Sequence, residues 1–200
     1  MREDVNRTDA CSATRSPAPQ ALDLLQSSTH VQTVPQPALK SVPPRSPVTG
    51  PIGAQDLCHP MPHRLPFTGQ GWIFELKHDG FRALARSGSA VQLLSRSGRL
   101  MTDPFPEIVA ALEQLPDGLV LDGELVVPAP DGRSDFEEVR RRNLIQRPRM
   151  VQEAAAKSPA VLIVFDLLEA VGEDLRTRRL LERRQALHRH VIPGPRVQPT

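Results

Sequence analysis

The chain has no tyrosine, a single tryptophan and only three lysines, and its first 66 residues contain no aromatic side chain. Every aromatic falls between Phe67 and Phe165, while the aromatic-free stretch carries 11 of the 21 prolines. Such a segment has little apolar surface with which to offset the entropy of ordering. Residues 1–58, rich in Ser, Thr, Gln and Pro, are therefore expected to form a disordered tail. About 134 of the 200 residues remain to fold, enough for one modest domain and too few for an enzyme of two full domains.

The two cysteines, Cys11 and Cys58, lack paired spacing, and CHPMPH around Cys58 offers no second ligand pair. A disulfide framework and a zinc knuckle are excluded on that count, and free thiols are expected. No apolar run approaches the ~18–20 residues of a membrane span, and no apolar segment follows Met1-Arg2-Glu3-Asp4 as a secretory signal would. A cytoplasmic protein without a membrane partner is expected. The charges nearly balance, at 25 basic and 23 acidic groups, so the chain is no polycation but tolerates a nucleic-acid partner. Arginine supplies 22 of the basic residues; lysine appears only at positions 40, 77 and 157.

What is present begins at Trp72. Residues 72–77 are bulky and β-prone, Asp79-Gly80 is a hairpin signal, and Phe81–Arg86 alternates as a second strand. Ala90–Ser95 reads as a third strand. Asp103 is placed to cap a helix with Pro104 in its first turn and Phe105, Ile108, Val109 and Leu112 on one face. Leu119–Val127 reads as a strand, and Ser134 with Glu137 has capping-box spacing ahead of a helix through about Gln146. Val161–Leu168 is a buried strand, followed by a helix over Arg178–His190 with Leu180, Leu181 and Leu187 inward. The order predicts an α+β domain with mixed, largely antiparallel sheets and flanking helices.

Four clusters carry chemistry. In Glu75-Leu76-Lys77-His78-Asp79-Gly80-Phe81-Arg82, Lys77 alone reads either as a solvated strand end or as an amine nucleophile among cations. Ser95-Arg96-Ser97-Gly98 is a polar turn or a phosphate contact. Asp122-Gly123-Glu124 sets carboxylates between Leu121 and Leu125, which is costly unless they are paired or bind a cation; a β-bulge is the plainer reading. Phe165 and Asp166 stand in the last apolar run, where an aromatic is ordinarily core. The Arg140-Arg141-Arg142 run, with Arg147 and Arg149, is either a solvated helix face or a phosphate surface.

In this order, the four clusters resemble the motifs of the ATP-dependent DNA ligases, within the covalent nucleotidyltransferase superfamily. The wording WIFELKHDGFRALAR is closest to the bacterial end-joining type. The resemblance covers about residues 60–200, so residues 59–200 are expected to be part of an adenylation domain, without the oligonucleotide-binding barrel. It implies that Lys77 is the nucleophile that takes AMP from ATP as a phosphoramidate. It further implies that Glu75 contacts adenine, Arg82 lies near the ribose, Arg96 binds nucleotide or DNA 5′-phosphate, and Phe165 stacks on adenine. Glu124 would contact the ribose and the metal side, sharing Mg²⁺ with Asp166. The implied partner is DNA, at a nick or a double-strand end during repair and recombination, with nucleoid association when bound. The family's later Glu-Gly and Lys-x-Lys motifs do not occur in these 200 residues. The expectation is thus a truncated ligase domain, a remnant or nucleotide-binding module, or a half completed by a second chain; an RNA-directed relative is the alternative enzyme.

Overall fold

The structure, a computed structural model, describes residues 53–57 and 72–200. A six-stranded sheet organises them, in the order β2 (Gln92–Ser95), β1 (Phe81–Arg86), β3 (Val120–Val126), β4 (Val161–Ala170) and β5 (Glu173–Asp174), with β6 (Val197–Pro199) beside β4. Every pairing is antiparallel except β4 with β6. The helices are α1 (Pro106–Leu112), α2 (Phe136–Asn143), α3 (Pro148–Lys157) and α4 (Leu180–His190). This is the expected α+β class with a largely antiparallel sheet.

Side-chain alternation sorts the sheet into two unlike faces. Ala83 and Ala85 of β1, Leu121 and Leu125 of β3, and Leu162 and Val164 of β4 join one buried cluster with Ile108 and Leu112 of α1, Val139 of α2 and Leu187 of α4. Arg82, Asp122, Glu124 and Phe165 hold the alternate positions, on the opposite face. A register shift at Asp122/Gly123 makes β4 bulge, because Asp122 pairs with Asp166 while Gly123 pairs with Val164. The extra residue is Phe165, and the core positions of β4 switch from Leu162 and Val164 to Leu167. Phe165 and Asp166 are thereby brought to the same face, which is how a bulge re-aims side chains.

Several local expectations differ. Residues 72–79 form no strand and no hairpin with β1; they have no ladder partner among the described residues, and Leu76 is 83% exposed. Helix α1 starts at Pro106, with no side-chain cap from Asp103, because the residue before a proline is driven out of helical geometry and Phe105 sits at φ −129°. The helix expected through about Gln146 ends at Asn143, and α3 is a further helix, not among those expected; Arg147, before Pro148, stands in extended backbone (φ −75°, ψ 120°) at its start. Asp135, not Ser134, caps α2, accepting from the Glu138 N–H at 2.9 Å.

Leu187 is buried as expected, but Leu180 and Leu181 are 44% and 58% exposed; Ala186 and Arg183 complete the inward stripe of α4 with Leu187. The short strands β5 and β6 carry no alternation long enough to be read from sequence. Within the stretch expected to be tail, Ala54–Asp56 forms a 3₁₀ turn, Leu57 is buried with Leu84, Val120 and Leu168, and Asp56 ion-pairs with Arg176. The rest of that tail, with Cys11 and Cys58, lies outside the described residues. Among the described residues no helix is long and apolar enough to cross a membrane.

Candidate active site

The face opposite the core gathers most of the residues singled out by sequence. Arg82 donates from Nε and Nη2 to the two carboxylate oxygens of Asp122, each at 2.7 Å. Its guanidinium also stands 4.9 Å from the centre of the Phe165 ring. Asp122 is wholly buried, and that burial pushes its carboxyl above the usual range, against the opposing pull of the Arg82 hydrogen bonds and charge.

Glu124 lies directly across from Arg82 in the β1–β3 register. Burial raises its proton affinity as well; the Gly80 N–H and the charges of Arg82 and Lys77 pull the other way. The chain entering β1 passes hard against β3 at this point. A Cβ at Gly80 would collide with the Leu125 carbonyl oxygen. Gly123 is needed for a like reason, since a Cβ there would strike the Ile163 carbonyl at the bulge. Two motif glycines thus let three backbone segments close on one place, and that closure brings the Lys77 segment to Glu124.

Lys77 itself is exposed, on the irregular segment before Gly80. Glu75, two residues earlier, ion-pairs with Arg184 of α4 and accepts from the Thr200 hydroxyl at 3.1 Å. Arg96 is exposed in the turn after β2, where the Gly98 N–H bonds the Ser95 carbonyl at 2.8 Å. The structure brings Lys77, Arg82, Glu124 and Phe165 to one region and leaves Arg96 at its margin, one residue beyond the β2 position that pairs with Ala83.

Asp166 is buried, and Arg183 grips it from Nε and Nη2 at 2.8 and 2.7 Å. Its Oδ1 also accepts the Leu167 N–H at 2.9 Å. Magnesium is usually held by one or two carboxylates together with waters and substrate phosphates. Of the carboxylates expected to hold it, Asp166 is committed through both oxygens to a guanidinium. No group of three His, Cys, Asp or Glu side chains placed to hold an ion occurs among the described residues. Asp166 therefore faces Arg183, and Glu124 is the expected metal carboxylate that no arginine grips at both oxygens.

Of the arginine run, Arg140, Arg141 and Arg149 form the solvated helix face, and Arg142 alone departs from it. Arg140 and Arg141 are tied to Glu137 and Glu138 one turn back, and Arg149 to Glu153. Arg142 is fully buried, paired with Glu107 and bonded to the Pro104 and Ser158 carbonyls at 3.0 Å each. Sequence reasoning missed Arg183 and Arg184 as partners of site carboxylates. The available signal was two arginines at positions where an amphipathic helix should turn inward.

A family model described as "ATP dependent DNA ligase domain" matches residues 57–198. The chain belongs to the ATP-dependent DNA ligase family. It is 47% identical over 119 residues to DNA ligase C2 of Mycolicibacterium smegmatis, covering 58% of this chain and 33% of that protein. It is 38% identical over 129 residues to the bifunctional non-homologous end joining protein LigD of Bacillus subtilis, covering 61% of this chain and 21% of that one. Among solved structures, mycobacterial DNA ligase D complexed with ATP and MES superimposes with a TM-score of 0.47 at 32% identity, over 57% of this chain and 35% of that chain. The chain thus spans about a third or less of the length of these relatives.

Proposed function

We propose that this domain binds ATP, takes AMP covalently onto Lys77, and passes it to a DNA 5′-phosphate so that a break can be sealed. The observation that carries the reading is Arg82, which follows the Lys77 segment on β1, grips Asp122, lies 4.9 Å from the centre of the Phe165 ring and sits directly across from Glu124. In the first step the deprotonated Lys77 Nζ attacks the α-phosphorus. A P–N bond forms, the bond from that phosphorus to the bridging oxygen breaks, and pyrophosphate leaves with the electron pair. A DNA 5′-phosphate oxygen then attacks the same phosphorus and the P–N bond returns its electrons to Lys77. A 3′-hydroxyl finally displaces AMP.

The chain's own groups serve binding and orientation. Phe165 offers a stacking surface for adenine, Glu75 (held by Arg184) faces the base, and Glu124 takes the ribose hydroxyls. Arg82, already anchored on Asp122, presents its charge beside Phe165 and Glu124. Arg96 is free to swing toward the phosphates or the DNA end. The test is incubation of the full chain with ATP labelled at the α-phosphate. A covalent label that is absent in Lys77→Ala and chases onto nicked DNA supports the reading; wild-type protein that takes up no label overturns it.

A further inference from the structure

We propose that Arg183 is a positioning residue for the nucleotide pocket: by gripping Asp166 it fixes the β4 bulge that turns Phe165 onto the pocket face. The inference rests on the ATP-binding reading above and adds to it a residue outside the motif strands. Asp166 is the position at which β4 regains register with Asp122 after the extra residue Phe165. Both aspartates are buried, directly opposite one another, and each is held by its own arginine in a two-point grip. The result is a row, Arg82–Asp122–Asp166–Arg183, in which the two like charges at the centre tolerate each other only because both ends are neutralised.

Phe165 is held within this row. Its backbone is the bulge, and its ring lies under Arg82. The grip of Arg183 is itself fixed, since its Nη1 donates to the Arg178 carbonyl at 2.7 Å, tying the side chain to the loop that starts α4. Without the guanidinium, Asp166 is a buried charge facing another carboxylate. Its relief is to swing outward, and the bulge that sets the direction of Phe165 goes with it.

A double-mutant cycle on the full chain tests this, reading the Kd for α,β-methylene-ATP, which cannot adenylate Lys77. Arg183→Gln is expected to weaken binding about tenfold, as loss of a base–aromatic stack does. Phe165→Ala should do the same, and the double variant should bind no worse than Phe165→Ala alone, because the two act through one ring. Arg183→Lys, which keeps the charge but not the fork, should fall between wild type and Arg183→Gln and serves in its place if the glutamine variant does not fold. The inference is overturned if both Arg183 variants bind within twofold of wild type, or if Arg183→Gln adds its full penalty in the Phe165→Ala background. Wild-type protein that fails to bind the analogue overturns the ATP-binding reading instead.

Discussion

Arg82 holds Asp122 by two parallel hydrogen bonds of 2.7 Å while its guanidinium rests against Phe165. One side chain therefore neutralises a buried carboxylate and borders the ring proposed to receive adenine. The pair links the motif that carries Lys77 to the motif that carries Glu124, across β1 and β3. It also explains how a wholly buried aspartate is tolerated in the middle of a sheet.

Breaking a buried ion pair from one side costs more than the pair contributes, because the remaining charge is left uncompensated. Arg82→Ala is expected to lower the unfolding free energy by about 3–5 kcal/mol. Adding Asp122→Asn should recover a large share of that loss, since the stranded charge is gone. Urea denaturation of the two variants measures both. Equal losses in the single and double variants would contradict the pairing.

Gly123 is where β3 meets the bulge of β4, and a methyl group there would drive the Ile163 carbonyl away. Gly123→Ala is expected to cost about 1–3 kcal/mol, the range for forcing extra volume into a packed site. Because the displaced strand carries Phe165, ATP-analogue affinity should fall in parallel. Gly132→Ala on the same assays is the comparison, since a Cβ there meets nothing within 4 Å and only its left-handed backbone (φ +81°) is strained.

Arg140 and Arg141 are exposed but already paired with Glu137 and Glu138. Replacing both with alanine is expected to leave DNA affinity within about twofold and the salt dependence of binding unchanged. A drop of one or more in the slope of log affinity against log salt would assign them to phosphate after all.

The strands were legible where a single rule decided them. Phe81–Arg86 was legible from its alternation and Leu119–Val127 as an apolar run broken only by Asp122-Gly123-Glu124, and the sheet places that break on the site face. The site residues were legible only as a motif resemblance, since an isolated lysine, turn or aromatic has a plainer reading at each position. What was not legible depends on partners distant in sequence. Asp166 looks like an available carboxylate until α4 delivers Arg183, 17 residues on. Arg142 looks like a member of a solvated run until Glu107 reaches it from α1, 35 residues back. Residues 72–77 look like a strand because β-propensity says nothing about whether a neighbouring edge is there to pair with.

Glu124 makes stability depend on pH with a definite sign. Burial raises its proton affinity in the folded state, so the folded chain binds more protons there than the unfolded chain. Its contribution to stability is therefore intact below the ordinary glutamate range and is progressively lost as pH rises through that range toward the folded-state value. Glu124→Gln has no such titration. The variant is expected to gain on wild type as pH increases from about 4 toward neutrality, while the difference between them settles to a constant below about pH 4. Urea denaturation across that range provides the measurement, and a wild-type-minus-variant difference that does not change with pH would show that Glu124 is not held in a desolvated site.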